Sequence, residues 1–105
     1  MVFIETTLFT SQLTTYLSDS EYGELQHFLM ETPDAGALIQ GTGGLRKLRW
    51  DVANKGKRGG VRIIYYWHKA EHHLYMMTMY AKNEVTDLSA QEKKALKQML
   101  ERWVL

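Results

Sequence analysis

The spacing of apolar residues changes period along the chain. Val2 to Glu5 is a short extended apolar segment, after which Phe9, Leu13, Tyr16 and Leu17 recur at helical spacing and predict a first helix from about Thr7 to Leu17. Ser18 and Glu21 form a reciprocal capping pair, each side chain satisfying an orphan backbone donor, and Tyr22, Leu25 and Leu29 supply one apolar stripe before Pro33. These two helices are expected to form an antiparallel hairpin. Thr32 to Gly44 is rich in turn formers, and beyond it the period drops to two. Strands are predicted at about Leu45 to Val52, Val61 to His68 and Leu74 to Lys82, joined by a basic, Gly-rich turn from Asn54 to Gly60 and by Lys69 to His73, as an antiparallel meander. Ser89 and Glu92 repeat the capping pair, and Leu96, Met99, Leu100 and Trp103 predict a closing amphipathic helix. The expected architecture is α+β: an N-terminal helical hairpin packed on an antiparallel sheet with a C-terminal helix, the helices covering one sheet face.

Side chains alternate along a strand, so the more apolar set marks the covered face. Leu48 and Trp50 then point inward and Lys47 and Arg49 outward; Val61, Ile63, Tyr65 and Trp67 inward and Arg62, Ile64, Tyr66 and His68 outward; Tyr75, Met77, Met79 and Ala81 inward and Met76, Thr78, Tyr80 and Lys82 outward. A turn centred between Ala70 and Glu71 sets Arg62 opposite Met79 or Tyr80 and Lys82 beside Gly59 and Gly60. Lys47, Arg49, Arg62, Tyr80 and Lys82 are thus expected to converge on a solvent-facing surface. The plain reading is a solvated polar face with Tyr66 and Tyr80 capping the core; the sharper one is a surface for single-stranded RNA, with cations for phosphates and a ring for a base.

Composition narrows the choice. The 105 residues, 45% apolar and 24% charged, fit one domain over 1–105 with a modest core of large side chains, drawn from 3 Trp, 6 Tyr, 3 Phe and 6 Met. Cysteine is absent, which excludes disulfides and thiolate chemistry. Met1 to Ser11 has no basic n-region followed by an apolar run, and no stretch approaches membrane-spanning length, so a cytoplasmic protein without a membrane partner is expected. Net charge is only +1, yet the first 44 residues hold six acids and no Lys or Arg, whereas Leu45 to Arg62 hold seven bases against Asp51 alone. A solvated basic hairpin explains that run; so does a polyanion partner, with Arg46, Lys55, Lys57 and Arg58 beside the strand cations.

Three separated runs carry a resemblance. Gly41-Thr42-Gly43-Gly44-Leu45-Arg46-Lys47-Leu48-Arg49, then Gly56-Lys57-Arg58-Gly59-Gly60-Val61-Arg62-Ile63-Ile64-Tyr65-Tyr66, then Tyr80-Ala81-Lys82-Asn83-Glu84 with Asp87-Leu88, resemble HigB-type members of the RelE/ParE toxins over nearly the full chain. The resemblance implies a RelE-like fold, a type II toxin–antitoxin operon, cleavage of mRNA in the ribosomal A site and neutralisation by a helix-turn-helix HigA-type antitoxin. It also implies that Arg62 meets the scissile phosphate, that Lys82 lies in a segment supplying catalytic side chains, and that Lys47 lies in the strand carrying catalytic lysines. The chain departs from the pattern between Glu84 and Ser89, where relatives often carry a Tyr or His as acid or base and this sequence has no ring.

A metal-independent ribonuclease needs a base for the ribose 2'-OH, a stabiliser of the phosphorane and an acid for the leaving oxygen. His68, His72 and His73 fall at the far end of the hairpin, on the order of 20 Å from Arg62 at strand rise. Crowding of Lys47, Arg49, Arg62 and Lys82 would disfavour a protonated lysine and favour an ionised tyrosine. Lys47 or Lys82 is therefore the candidate base, Arg62 and secondarily Arg49 the phosphorane stabilisers, and Tyr80 the acid or a stacking platform; Arg46, Lys55, Lys57, Arg58 and Tyr66 are candidate RNA or ribosome contacts. No metal or small-molecule cofactor is expected, since Gly41 to Gly44 precede a strand without a Lys-Ser/Thr pair and the three histidines have no carboxylate at fixed spacing. Two rival readings are a ParE-like inhibitor of DNA gyrase and an RNA-binding module without cleavage.

Overall fold

The computed structural model describes residues 1–51, 60–84 and 87–104, so the predicted Asn54 to Gly60 turn lies outside the described residues except for Gly60 itself. The elements are β1 (Val2–Glu5), α1 (Thr7–Tyr16), α2 (Asp19–Glu31), β2 (Ala37–Leu38), β3 (Leu45–Trp50), β4 (Val61–His68), β5 (His73–Ala81) and α3 (Ala90–Val104), with a short 3-10 turn over Lys69–Glu71. Side chains set the helix starts. Thr6 accepts the Phe9 N–H at α1, and reciprocal Ser–Glu caps open α2 (Ser18 with Glu21) and α3 (Ser89 with Glu92). Leu17 separates α1 from α2 by turning extended after donating its N–H to the Leu13 carbonyl.

The sheet has strand order β1-β5-β4-β3-β2. Its centre is the expected antiparallel meander, but β1 adds to β5 in parallel, from Val2 opposite His73 to Glu5 opposite Met76, so the sheet is mixed rather than antiparallel throughout. β2 pairs with the β3 residues Arg46 and Lys47 inside a stretch that reads as loop. Neither addition is written in local periodicity, because a parallel partner is reached only through the long connection between the two strands.

Helices cover both faces of this sheet, which corrects the one-sided arrangement. On one side Phe9, Leu17, Leu25 and Leu29 pack with Leu48, Ile63, Tyr65 and Met76; on the other Leu88, Leu96 and Leu100 pack with Leu45, Ile64, Tyr75 and Met77. A strand apolar on both sides, as β5 is, requires two covers. The β4–β5 register shifts between Ile64 and Tyr65: Ile64 lies opposite Thr78 and Tyr65 opposite Met76, so Met77 is an extra residue. This bulge breaks the alternation. Met79 and Tyr80 take their expected sides, whereas Met76 joins the α1/α2 core and Tyr75 and Met77 turn toward α3, the reverse of strict alternation.

Beyond the end of β1, side chains preceding or within α1 stand in for a sheet partner of β5: Thr6 Oγ1 donates to the Met77 carbonyl at 2.6 Å, and Gln12 Oε1 accepts the Met79 N–H at 3.0 Å. At the other edge Tyr65 fastens the loop after α2. Its hydroxyl donates to the Pro33 carbonyl at 2.7 Å and accepts the Gly36 N–H at 2.9 Å. A Cβ at Gly36 would lie 2.9 Å from the Tyr65 ring, so glycine is needed for this approach. Tyr65→Phe strands a buried N–H and is expected to lower unfolding free energy by about 1–3 kcal/mol, read as a lower urea midpoint with an unchanged m-value.

Candidate nucleic-acid interface

Strand register assembles the candidate side chains. Arg49 lies opposite Arg62 across β3–β4, and Arg62 opposite Tyr80 across β4–β5, giving one row over three strands. Lys47, two residues back along β3 and opposite Ile64, falls on the same face in the neighbouring row. Lys82 stands at the same end of the hairpin, its N–H donating to the Gly60 carbonyl at 3.3 Å. Gly60 has φ +65 and its absent Cβ would collide with the Trp50 carbonyl oxygen, so only glycine lets the chain enter β4 here. Two guanidinium-bearing residues directly opposite one another repel, an arrangement that favours an anion nearby.

The group is graded in depth and does not lie on an open sheet surface. Arg49 and Lys82 are exposed and Lys47 is half-buried, whereas Arg62 and Tyr80 retain only 5% and 7% of their accessible surface. Tyr80 packs with Leu88 and Leu96, and its buried hydroxyl has no hydrogen-bond partner among the described residues. Burial, first of all, pushes the Tyr80 phenol above its ordinary value; Asp87 adds to the rise and Arg62 opposes it. The direction is the opposite of that expected from crowded cations, because desolvation outweighs the pull of one guanidinium.

Asp87 is the participant that residue spacing did not single out. Its Oδ1 lies 3.4 Å from Lys47 Nζ and accepts the Leu88 N–H at 2.8 Å. The Leu88 hydrogen bond chiefly, with the Lys47 charge, holds the Asp87 carboxyl below the usual carboxylate value. What would have pointed to it is the second sheet cover, since a chain entering α3 over this face must pass the cation row.

The remaining candidates lie elsewhere. Arg46 belongs to the opposite face, beside Tyr65, and donates through Nη1 to the carbonyls of Asp34 (3.1 Å) and Gly36 (2.8 Å). Tyr66 is on the α3 face but farther along β4, its ring 6.1 Å from His68 and 6.2 Å from Tyr75. His68 and His73 oppose one another at the far end of the hairpin. Lys55, Lys57 and Arg58 lie outside the described residues. Among the described residues no three His, Asp or Glu side chains come together as a metal-ligand group, and no helix is long and apolar enough to cross a membrane.

Comparison with known proteins gives both a family and a fold. The model of the family described as the RelE toxin of the RelE/RelB toxin–antitoxin system matches residues 30–104. Among solved structures, a free-state E. coli toxin RelE with two arginines replaced by alanine superposes with a TM-score of 0.58 at 10% identity, covering 99% of this chain and 97% of that one. The intact E. coli RelBE toxin–antitoxin complex contains a chain matching with a TM-score of 0.52 at 12% identity, covering 76% of this chain and 94% of that one. At such identities the likeness is one of fold.

The raised Tyr80 value has a measurable sign. Burial puts the folded phenol above the ordinary tyrosine value of about 10, so the stabilisation carried by its neutral form is complete below that pH and fades as pH climbs through the folded value. Ring-labelled tyrosine NMR is expected to show Tyr80 titrating late, and Tyr80→Phe to remove this contribution from the alkaline limb of the stability curve.

Proposed function

This chain belongs to the family of RelE toxins of RelE/RelB toxin–antitoxin systems, and from that premise we propose that it is a HigB-type, ribosome-dependent endoribonuclease of the cytoplasm. It cuts translated mRNA in the A site, halts translation, and is neutralised by a helix-turn-helix HigA-type antitoxin. The observation that carries this reading is the Arg49–Arg62–Tyr80 row with Lys47 beside it, which gathers phosphate-binding groups and a phenol on one sheet face.

In the proposed reaction the ribose 2'-oxygen attacks the adjacent phosphorus, the bond from phosphorus to the 5'-oxygen breaks, and the products are a 2',3'-cyclic phosphate and a 5'-hydroxyl. Lys82 takes the 2'-proton, since Lys47 is engaged as an ammonium by the Asp87 carboxylate. Arg62, with Arg49, carries the added phosphorane charge, since a guanidinium holds two phosphoryl oxygens and stays ionised. Tyr80 gives its proton to the departing oxygen; a phenol kept neutral by burial suits the acid better than the base. Its hydroxyl is buried, so this role requires the chain leading into α3 to yield as RNA arrives. Lys55, Lys57, Arg58 and Tyr66 are assigned to RNA or ribosome contacts, whereas Arg46, committed to the Asp34 and Gly36 carbonyls, is given none.

Mapping mRNA ends on translating ribosomes incubated with the purified protein tests the proposal: new cuts that require translation are expected. Arg62→Ala should lower single-turnover cleavage by about 10²–10³-fold and Tyr80→Phe by about 10²-fold or more, with thermal melts confirming that each variant is folded. Intact mRNA together with blocked DNA supercoiling by gyrase would overturn the nuclease in favour of a ParE-like toxin.

A further inference from the structure

An anion stands within the cation group. Asp87 Oδ1 is 3.4 Å from the Lys47 ammonium and accepts the Leu88 N–H at 2.8 Å, and an ammonium and a backbone amide are donors that also hold phosphate oxygens. The pair is open to water, its Lys47 and Asp87 side chains being 32% and 56% exposed, and an ion pair of that kind is readily exchanged. Asp87 therefore occupies the position that an RNA phosphate would take, on a contact weak enough to give up.

We propose that Asp87 is a built-in counter-ion for the phosphate position at Lys47, holding it when RNA is absent and leaving it when an RNA phosphate arrives. This rests on the ribonuclease reading of the site and adds how that site is kept from other polyanions. Because the displaced carboxylate stays nearby, a phosphate at Lys47 meets a locally balanced pair and not an isolated cation. Lys47 then contributes less to RNA affinity, and to its salt dependence, than a solitary surface lysine would.

Asp87→Asn is nearly isosteric and keeps an oxygen for the Leu88 N–H, so it removes the charge and spares the start of α3. The probe is a 2'-O-methyl RNA oligonucleotide, which cannot be cleaved, binding the full chain across a salt series. Asp87→Asn should bind about two- to five-fold tighter at low salt, and the slope of log K against log salt should steepen by about 0.7, one further phosphate neutralised on a single strand. Adding Lys47→Ala to that variant should return the slope to the wild-type value, and Lys47→Gln alone should change it little. An unchanged or shallower slope in folded Asp87→Asn overturns the proposal, as does a full loss of about 0.7 in Lys47→Gln alone. Ribosome cleavage measured in parallel separates the two readings: no cleavage with the steeper slope sinks the nuclease and leaves the counter-ion, whereas cleavage with an unaltered slope sinks the counter-ion alone.

Discussion

Strand β4 is paired along both edges and covered on both faces, and the rest of the molecule is arranged around that double burial. Val61, Ile63 and Tyr65 face the α1/α2 core while Ile64 faces α3, and all four lie essentially out of water. In a strand so enclosed, Arg62 is the exception. An ionised group there must be compensated by its surroundings, since its charge is disfavoured away from water. Across the neighbouring strands it lies opposite Arg49 and Tyr80. A central strand filled only with aliphatic residues would be the simpler way to hold this sheet together. Arg62 thus marks the point in β4 where a charged residue is kept, in the row it shares with Arg49 and Tyr80.

The same enclosure explains why α3 belongs to the site as well as to the core. Leu96 and Leu100 anchor the helix over Ile64 and Met77, and Leu88 packs with Tyr80. Once Leu88 is buried, Asp87 is delivered to the edge of β3, where it meets Lys47. Packing and electrostatics are thus joined through one short stretch of backbone: what fixes the apolar cover also fixes the carboxylate beside the cations.

Features governed by a few adjacent residues were legible in the sequence. The capping pairs at Ser18 and Ser89 and the extent of the central hairpin follow from local spacing and turn position. Features governed by distant contacts were not. The parallel addition of β1 depends on closing a connection that runs from Glu5 to His73, and β2 is too short to show a period. The bulge at Met77 is hidden because Leu74, Tyr75, Met76 and Met77 are each apolar enough for either face, so a shift in alternation leaves no mark on the pattern there. Counting from the turn left Met79 or Tyr80 opposite Arg62, and it is the extra residue at Met77 that makes the partner Tyr80.

Which of the candidate side chains share a sheet face was legible, but not their state. Alternation brought Lys47, Arg49, Arg62 and Tyr80 to one face, yet charge counting along the chain made them an exposed, mutually repelling group that would ionise a tyrosine. The second sheet cover changes each part of that picture. Burial keeps the phenol neutral, and the approach to α3 supplies the acid that Lys47 meets. These two effects are complementary in the proposed reaction. There a buried phenol keeps its proton, and the contact of Asp87 with Lys47 is one that an incoming phosphate can replace.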